Sequence, residues 1–262
     1  MLKWCAYCQQ FMREIAPYDD FSISHGLCAS CETTREDLFA RDEVRQANLL
    51  REIFHELFDA GRHEDFETAA GIIDKAISAN CRPVDILIGM ISPMLYEIGE
   101  EWKRGALSVE GEHRFTAFSD QVIRLVESRI GAARTAPSGS SRATTLFLMN
   151  APGNQHNIAV RILALWLESR GAQVRMIDDE IDTVSLMQRL AAERADYLLI
   201  SMGLAEQRDL VAAICNAIQA LPEGVRPKVI VGGYPVKAGL IKAIPFAELL
   251  CDISMLQIAS VL

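Results

Sequence analysis

Thr144-Thr-Leu-Phe-Leu-Met149 and the loop after it, Asn150-Ala-Pro-Gly-Asn-Gln-His156, decide how this chain is read. The first six residues are apolar or β-branched and run into an Ala-Pro-Gly turn, so they read as a buried strand. The amphipathic run 158–169 reads as the helix that follows. The alternation then repeats: strand 173–177 and helix 184–194, strand 197–202 and helix 210–221, strand 228–231 and helix 236–244, with a weakly marked last strand at 249–251. Such a series builds a parallel sheet with helices on both faces, a Rossmann-like α/β domain. Ligands of open parallel sheets sit at the carboxyl ends of the strands, which makes the loop ending in His156 the place for chemistry. The third strand ends in Ser201-Met-Gly203 and the fourth in Gly232-Gly233. These put small residues on the same rim, where a bulky ligand needs close backbone approach, although glycine is also an ordinary turn residue. The competing reading of His156 is a helix-start histidine with a local hydrogen bond.

Upstream, residues 131–142 (Gly-Ala-Ala-Arg-Thr-Ala-Pro-Ser-Gly-Ser-Ser-Arg) offer no core face and read as a linker. Before them lie four amphipathic segments: 38–57, 66–77, 84–102 and 109–130. Gly61, the 80–83 break and the 105–108 turn separate them. Ser108 is placed to cap the last, with Glu110 and Glu112 in its first turns. Four antiparallel helices joined by short turns pack as a bundle. The expected domains are therefore 1–35, a bundle over 36–130, the linker 131–142 and the α/β domain 143–262.

The first 35 residues hold two CxxC knuckles, Cys5-Ala-Tyr-Cys8 and Cys28-Ala-Ser-Cys31, 19 residues apart. Each knuckle aims two sulfurs at one point, and the spacing suits a closed four-thiolate zinc site without an open coordination position. So short a segment buries too little apolar surface to fold alone, so metal binding would supply its folding free energy. A redox dithiol or two unrelated loop pairs is the alternative. His25 could replace one thiolate but reads as a loop residue, and Cys81, Cys215 and Cys251 read as inert thiols. His55 and His63 have no clustered partners and read as surface or packing residues. Seven cysteines cannot all pair within one chain, which fits a reducing compartment.

Half of the 262 residues are apolar and 23% are charged, an ordinary globular composition. The net charge of -9 argues against coating nucleic acid or an anionic membrane. No apolar run approaches the roughly 18 residues of a membrane span, and the amino-terminal residues lack the apolar core of a secretory signal. A cytoplasmic protein is expected.

At the rim residues the chain resembles the cobalamin-binding fold, whose first loop carries Asp-x-His-x-x-Gly, followed by a Ser-x-small pair and a Gly-Gly pair. Here Asn154-Gln-His156-Asn-Ile-Ala159, Ser201, Gly203, Gly232 and Gly233 stand in the matching places, in order, over about 120 residues. The resemblance implies that His156 ligates cobalt from below and that the nucleotide tail lies along the small residues. Two positions depart from it. Asn154 replaces the acid and makes the histidine less electron-donating, and Ala159 adds a methyl in the path of the tail. These changes leave haem-binding relatives of the fold open as an alternative.

Trp102, nine residues, then Glu112-His113 is similar to the Trp-x9-Glu-His signature of cobalamin-dependent light-sensing regulators. There the tryptophan packs over the adenosyl group and the Glu-His pair encloses it; the competing reading is a bundle-core tryptophan and a solvated histidine. Lys103 stands where the photoreceptors often carry a cobalt-capturing histidine, so a bis-histidine photoproduct is not expected unless His113 substitutes. The Trp4 to Cys8 and Ser24 to Cys31 segments resemble cysteine tails of bacterial signalling proteins, and their balanced charge is a poor footprint for duplex DNA.

The resemblance implies a cobalamin-binding sensory protein, with adenosylcobalamin favoured, that responds to light and signals to a protein partner such as a transcription factor or kinase. Direct nucleic-acid or membrane binding is not expected, and homo-oligomerisation is left open. No catalytic nucleophile or acid-base pair stands out, so the chain is not read as an enzyme. A corrinoid methyl-carrier subunit of a methyltransferase is the enzymatic alternative, with a haem or redox sensor and a decayed adaptor as further ones.

Overall fold

A computed structural model describes residues 1–34, 42–133, 144–154, 157–178 and 180–256. The chain forms two compact units, Met1–Thr135 and Ala136–Leu262. Of the segment read as a linker, 131–133 continue the last helix of the first unit, which corrects its start, and 134–142 lie outside the described residues.

In the first unit the strands β1 (Leu2–Cys5), β2 (Phe11–Glu14) and β3 (Ile23–Gly26) form a small sheet in the order β2-β1-β3. β1 runs antiparallel to β2 and parallel to β3. His25 therefore lies on a strand, opposite Trp4, and not in a loop. Leu2, Trp4, Phe11 and Ile23 are all buried, and Trp4 meets Phe11 edge to face at 5.5 Å between ring centres. So small a sheet cannot enclose these side chains by itself. The helices supply the missing cover, and the cysteine segment and the bundle form one unit.

A short helix α1 (Ala29–Thr34) is followed by α2 (Asp42–Arg62) and α3 (Phe66–Ser78). Asp65 caps α3 by accepting the Thr68 N–H at 3.0 Å. The segment expected as one helix over 84–102 is continuous but not uniform. It comprises α4 (Pro83–Ile86), a π turn (Leu87–Ile91) and α5 (Ser92–Lys103). The cause is Pro93, which has no N–H to donate and whose ring crowds the carbonyl four residues earlier. Ser108 Oγ accepts the Gly111 N–H at 3.1 Å at the start of α6 (Val109–Ala133), as its sequence position suggests. Ile53, Leu57, Ile73, Ile86, Met90 and Val122 build the core between the helices.

The second unit carries β4 (Thr145–Asn150), α7 (Asn157–Ser169), β5 (Gln173–Met176), α8 (Thr183–Glu193), β6 (Tyr197–Met202), α9 (Arg208–Gln219), β7 (Lys228–Gly233), α10 (Tyr234–Lys237) and β8 (Glu248–Leu249). The strands form a parallel sheet ordered β5-β4-β6-β7-β8. Phe147, Leu198 and Val229 cluster with Leu186 and Leu190 of α8 and Ile214 and Ile218 of α9. Leu146, Leu148, Leu199 and Ile230, of opposite parity, are buried too, so both sheet faces are covered. The helix expected over 236–244 is only α10. Gly239 takes φ +70° directly after it, and the N–H groups of Leu240 and Ile241 both return to the Pro235 carbonyl, which ends the helix.

Cys81 and Cys215 are buried, and burial pushes their thiols up to about 12 and about 11. Cys251 is half-buried, with Sγ 3.7 Å from the Val236 carbonyl. Among the described residues no helix is long and apolar enough to cross a membrane.

Candidate functional site

The chain leaves β4 for β5 on one side and reaches β6 on the other, so the loops after β4 and β6 flank the point where strand order reverses. That is where ligands of such sheets bind. Asn150 ends β4, in register with Ser201 of β6. The loop then turns back on itself: Ala151 N–H donates to the Ser201 carbonyl at 2.8 Å and Asn154 N–H to the Ala151 carbonyl at 2.9 Å.

Asn154 is 5% exposed and points inward. Its Nδ2 donates to the Ser201 carbonyl at 3.3 Å and to Asn150 Oδ1 at 3.2 Å, and Asn150 Nδ2 donates to Asn157 Oδ1 at 2.6 Å. A backbone carbonyl only accepts, so Ser201 sets which end of Asn154 faces it; the remaining orientations follow along the chain of amides. Asn154 is thus held as a donor toward the sheet. These partners fit an amide at this position, not a carboxylate. His156 and Gln155 lie outside the described residues.

The small residues of the rim have a requirement within the protein itself. A Cβ at Gly203 would stand 3.0 Å from Asn154 Oδ1, so this glycine keeps Asn154 seated. One at Gly232 would stand 3.1 Å from the Leu250 carbonyl. At Gly233, with φ +105°, it would fall 2.1 Å from the Met202 carbonyl. Gln207, buried, ties the two loops together: its Oε1 accepts the N–H groups of Gly203 and Leu204 at 2.9 and 3.0 Å, and its Nε2 reaches the Pro152 carbonyl at 3.5 Å. Sequence reading missed Asn150, Asn157 and Gln207. The only signal was polar residues at strand and helix ends, which is too common to single them out.

In the helical unit Trp102 is 46% exposed on the last turn of α5, so it is not a bundle-core residue. Glu112 and His113 lie in the first turn of α6. Glu112 Oε1 accepts the Thr116 hydroxyl at 2.9 Å, which fixes its carboxylate, and His113 Nε2 lies 3.6 Å from Glu112 Oε2 with most of its ring in solvent. Lys103 pairs with Glu100 at 3.1 Å.

The structure brings Cys5, Cys8, Cys28 and Cys31 together, with all four Sγ atoms within 4.8 Å of one another. Cys8 and Cys28 Sγ are 3.7 Å apart, against about 3.8 Å for the edge of a tetrahedron of thiolates around zinc. Burial opposes ionisation of Cys5, but the N–H groups of Cys8 and Cys28 outweigh it and hold its thiol below the ordinary range. Burial pushes Cys31 up to about 11 and Cys8 higher still. The donor set and spacing suit a closed site for a thiophilic divalent ion.

Comparison with known proteins covers both units. One B12 binding domain family model matches residues 53–127 and a second matches residues 144–240, together well over half of the chain. The chain is 26% identical over 176 residues to the HTH-type transcriptional repressor CarH of Myxococcus xanthus, covering 66% of this chain and 55% of the repressor. It is 30% identical over 95 residues to an uncharacterized 20.5 kDa protein in the bchF-crtJ intergenic region of Rhodobacter capsulatus, covering 36% of this chain and 48% of that one. The chain spans about half the length of these curated relatives. Among solved structures, the Methanosarcina barkeri monomethylamine corrinoid protein shares the fold with a TM-score of 0.63 at 16% identity, over 76% of this chain and 92% of that chain. With the helices and then the α/β unit each matched by a B12 binding domain model, the chain belongs to the B12-binding domain family.

Proposed function

We propose that this protein is a cobalamin-binding sensory regulator that takes adenosylcobalamin, responds to light or to exchange of the upper ligand, and signals through contacts with another protein. The observation that carries this reading is Trp102. It is a large aromatic side chain left about half exposed at a helix end, with nine residues between it and a Glu-His pair whose carboxylate is anchored by Thr116. In water an exposed tryptophan gains little, whereas against the upper ligand it would bury most of its ring. Similarity to a transcriptional repressor supports a regulatory role.

Within this reading His156 is the cobalt ligand, Asn154 orients its imidazole, and Ser201, Gly203, Gly232 and Gly233 line the path of the nucleotide tail. Trp102, Glu112 and His113 contact the upper ligand. The cofactor supplies an upper ligand that light or exchange can remove. Trp102 then has different contacts in the two states, which is what a ligand-driven switch requires. The four cysteines hold zinc as a structural ion, and the module docks a regulatory protein in the cytoplasm.

The test is an absorption spectrum of the gel-filtered protein after incubation with adenosylcobalamin, in darkness and after green illumination. A retained corrin spectrum that changes with light is expected. A retained but light-insensitive spectrum removes the photosensor, and a Soret band in the protein as purified points to haem.

A second reading, a corrinoid methyl carrier, draws on the fold shared with the monomethylamine corrinoid protein. Asn154 weighs against it, because a carrier that cycles cobalt between oxidation states benefits from the charge of a carboxylate behind its histidine. Methyl transfer from simple donors would favour it.

A further inference from the structure

The helix that ends at Trp102 contains a weak point, and the cysteine module is packed on that point. At the π turn Ser92 N–H donates to the Leu87 carbonyl, five residues back, and Pro93 donates nothing. Turns of this kind are where helices bend. Gly89 lies in the turn. A Cβ there would stand 2.4 Å from Trp4 Cζ2 and 2.7 Å from Phe11 Cδ2, so the two rings rest directly on helix backbone. Asp85, wholly buried just before the turn, accepts the Phe11 N–H at 3.3 Å and is held by Arg82 at 2.7 and 2.8 Å. From α2, Arg51 donates to the Ile23 carbonyl at 3.1 Å. The residues that touch the turn stand beside the sulfur ligands: Trp4 precedes Cys5, and Phe11 follows Cys8 by three.

We propose that metal occupancy of the four-cysteine module sets the position of Trp102, with the module acting as a splint across the π turn. An ion held by the quartet would tie the end of β1, the turn after it and the start of α1 together, so its removal loosens the segment that carries both rings. Removing the ion frees Trp4 and Phe11 from Gly89 and takes the Phe11 N–H from Asp85. Ser92–Lys103 is then held to the rest of its helix only by the weakened turn. Trp102 is 13 residues beyond Gly89, about 20 Å along a helix, so a bend of about 10° at the turn moves it by about 3 Å. The consequence for cobalamin rests on the reading of Trp102 given above; the splint does not. Availability of a thiophilic divalent ion would then gate the cofactor response.

The experiment uses the full chain labelled with 5-fluorotryptophan, which gives one fluorine NMR line for each of its three tryptophans. Trp102→Phe identifies the line of interest, and Trp166, in the other unit, serves as an internal control. Spectra are compared with zinc bound, after removal by a chelator, and after zinc is returned. The expected result is a Trp102 line that shifts on stripping and returns with zinc while Trp166 stays in place. Adenosylcobalamin should bind about five- to tenfold more weakly to the stripped protein. A Trp102 line unmoved while the Trp4 line moves overturns the proposal.

Gly89→Leu wedges the rings off the turn whatever the metal does, and with zinc bound it should also shift Trp102. If no zinc binds, the metal reading has failed, and an unmoved Trp102 in Gly89→Leu overturns the splint as well. Should that variant lose its helical circular dichroism, Phe11→Ala replaces it under the same criterion. If the Trp102 line shifts but adenosylcobalamin affinity is unchanged, the splint holds and the placement of Trp102 on the cofactor does not.

Discussion

Asn154 donates its side-chain N–H to the backbone carbonyl of Ser201, so the residue that replaces the family's acid is fastened to the end of the neighbouring strand. A carboxylate there would face a carbonyl oxygen and Asn150 Oδ1 with no proton to offer either. The surroundings select an amide. If His156 ligates cobalt as proposed, Asn154→Asp should therefore not strengthen that ligand. It should destabilise the domain by roughly 1–3 kcal/mol, the usual cost of leaving buried polar groups unpaired, as read by chemical denaturation. A variant as stable as the parent would show that the amide chain is not selective.

Trp102→Ala should leave folding stability within about 0.5 kcal/mol, since exposed positions contribute little. It should weaken adenosylcobalamin much more than hydroxocobalamin in spectroscopic titrations. Equal losses for the two corrins would count against contact with the upper ligand.

Gly233 and Gly171 both adopt left-handed backbone, but only Gly233 is crowded: its Cβ would meet the Met202 backbone, whereas Gly171 has nothing within 4 Å. Gly171→Ala should cost about 1–2 kcal/mol, the conformational term alone. Gly233→Ala should cost about 3 kcal/mol or more, because β6 and β7 must separate. Comparing their denaturation midpoints separates backbone strain from steric conflict.

Glu97 is half-buried on α5, near Glu101, Arg62, His55 and Arg104. Burial first, and then the Glu101 charge, raise its carboxyl above the ordinary range. Its folded pKa thus exceeds the unfolded one. The fold suffers no penalty below the unfolded value, where the group is protonated in both states, and loses stability as pH rises through the folded value. Glu97→Gln should remove that loss, so the melting temperature of the variant relative to the parent should increase from pH 4 to pH 7. A pH-independent difference would contradict this account.

Much of the α/β unit was legible because strands buried on both faces read as apolar runs and the helices between them keep their period. Thr145–Asn150, Tyr197–Met202 and Thr183–Glu193 fall within two residues of expectation. The π turn was not legible: Leu87-Ile-Gly-Met-Ile91 is apolar on every side, so its periodicity carries no phase, and only Pro93 hinted at a change. Val236 to Ile244 kept a helical pattern that Gly239 cut short. Nothing in the sequence singled out Asp85, whose carboxylate accepts the N–H of Phe11 from 74 positions away. At the site, His156, Asn154 and the glycines stood out through motif order. Asn150 and Gln207 act through contacts between loops that no local spacing encodes.

The unequal burial of the thiols has a practical consequence. Cys81 and Cys215 are enclosed and resist ionisation, and Cys251 is half-buried against a carbonyl. A small disulfide reagent added to the folded protein would reach the half-buried Cys8, Cys28 and Cys251 before the enclosed Cys81 and Cys215. If the quartet holds an ion as proposed, the kinetics of colour release would report how fast it is given up, without any label or engineered probe.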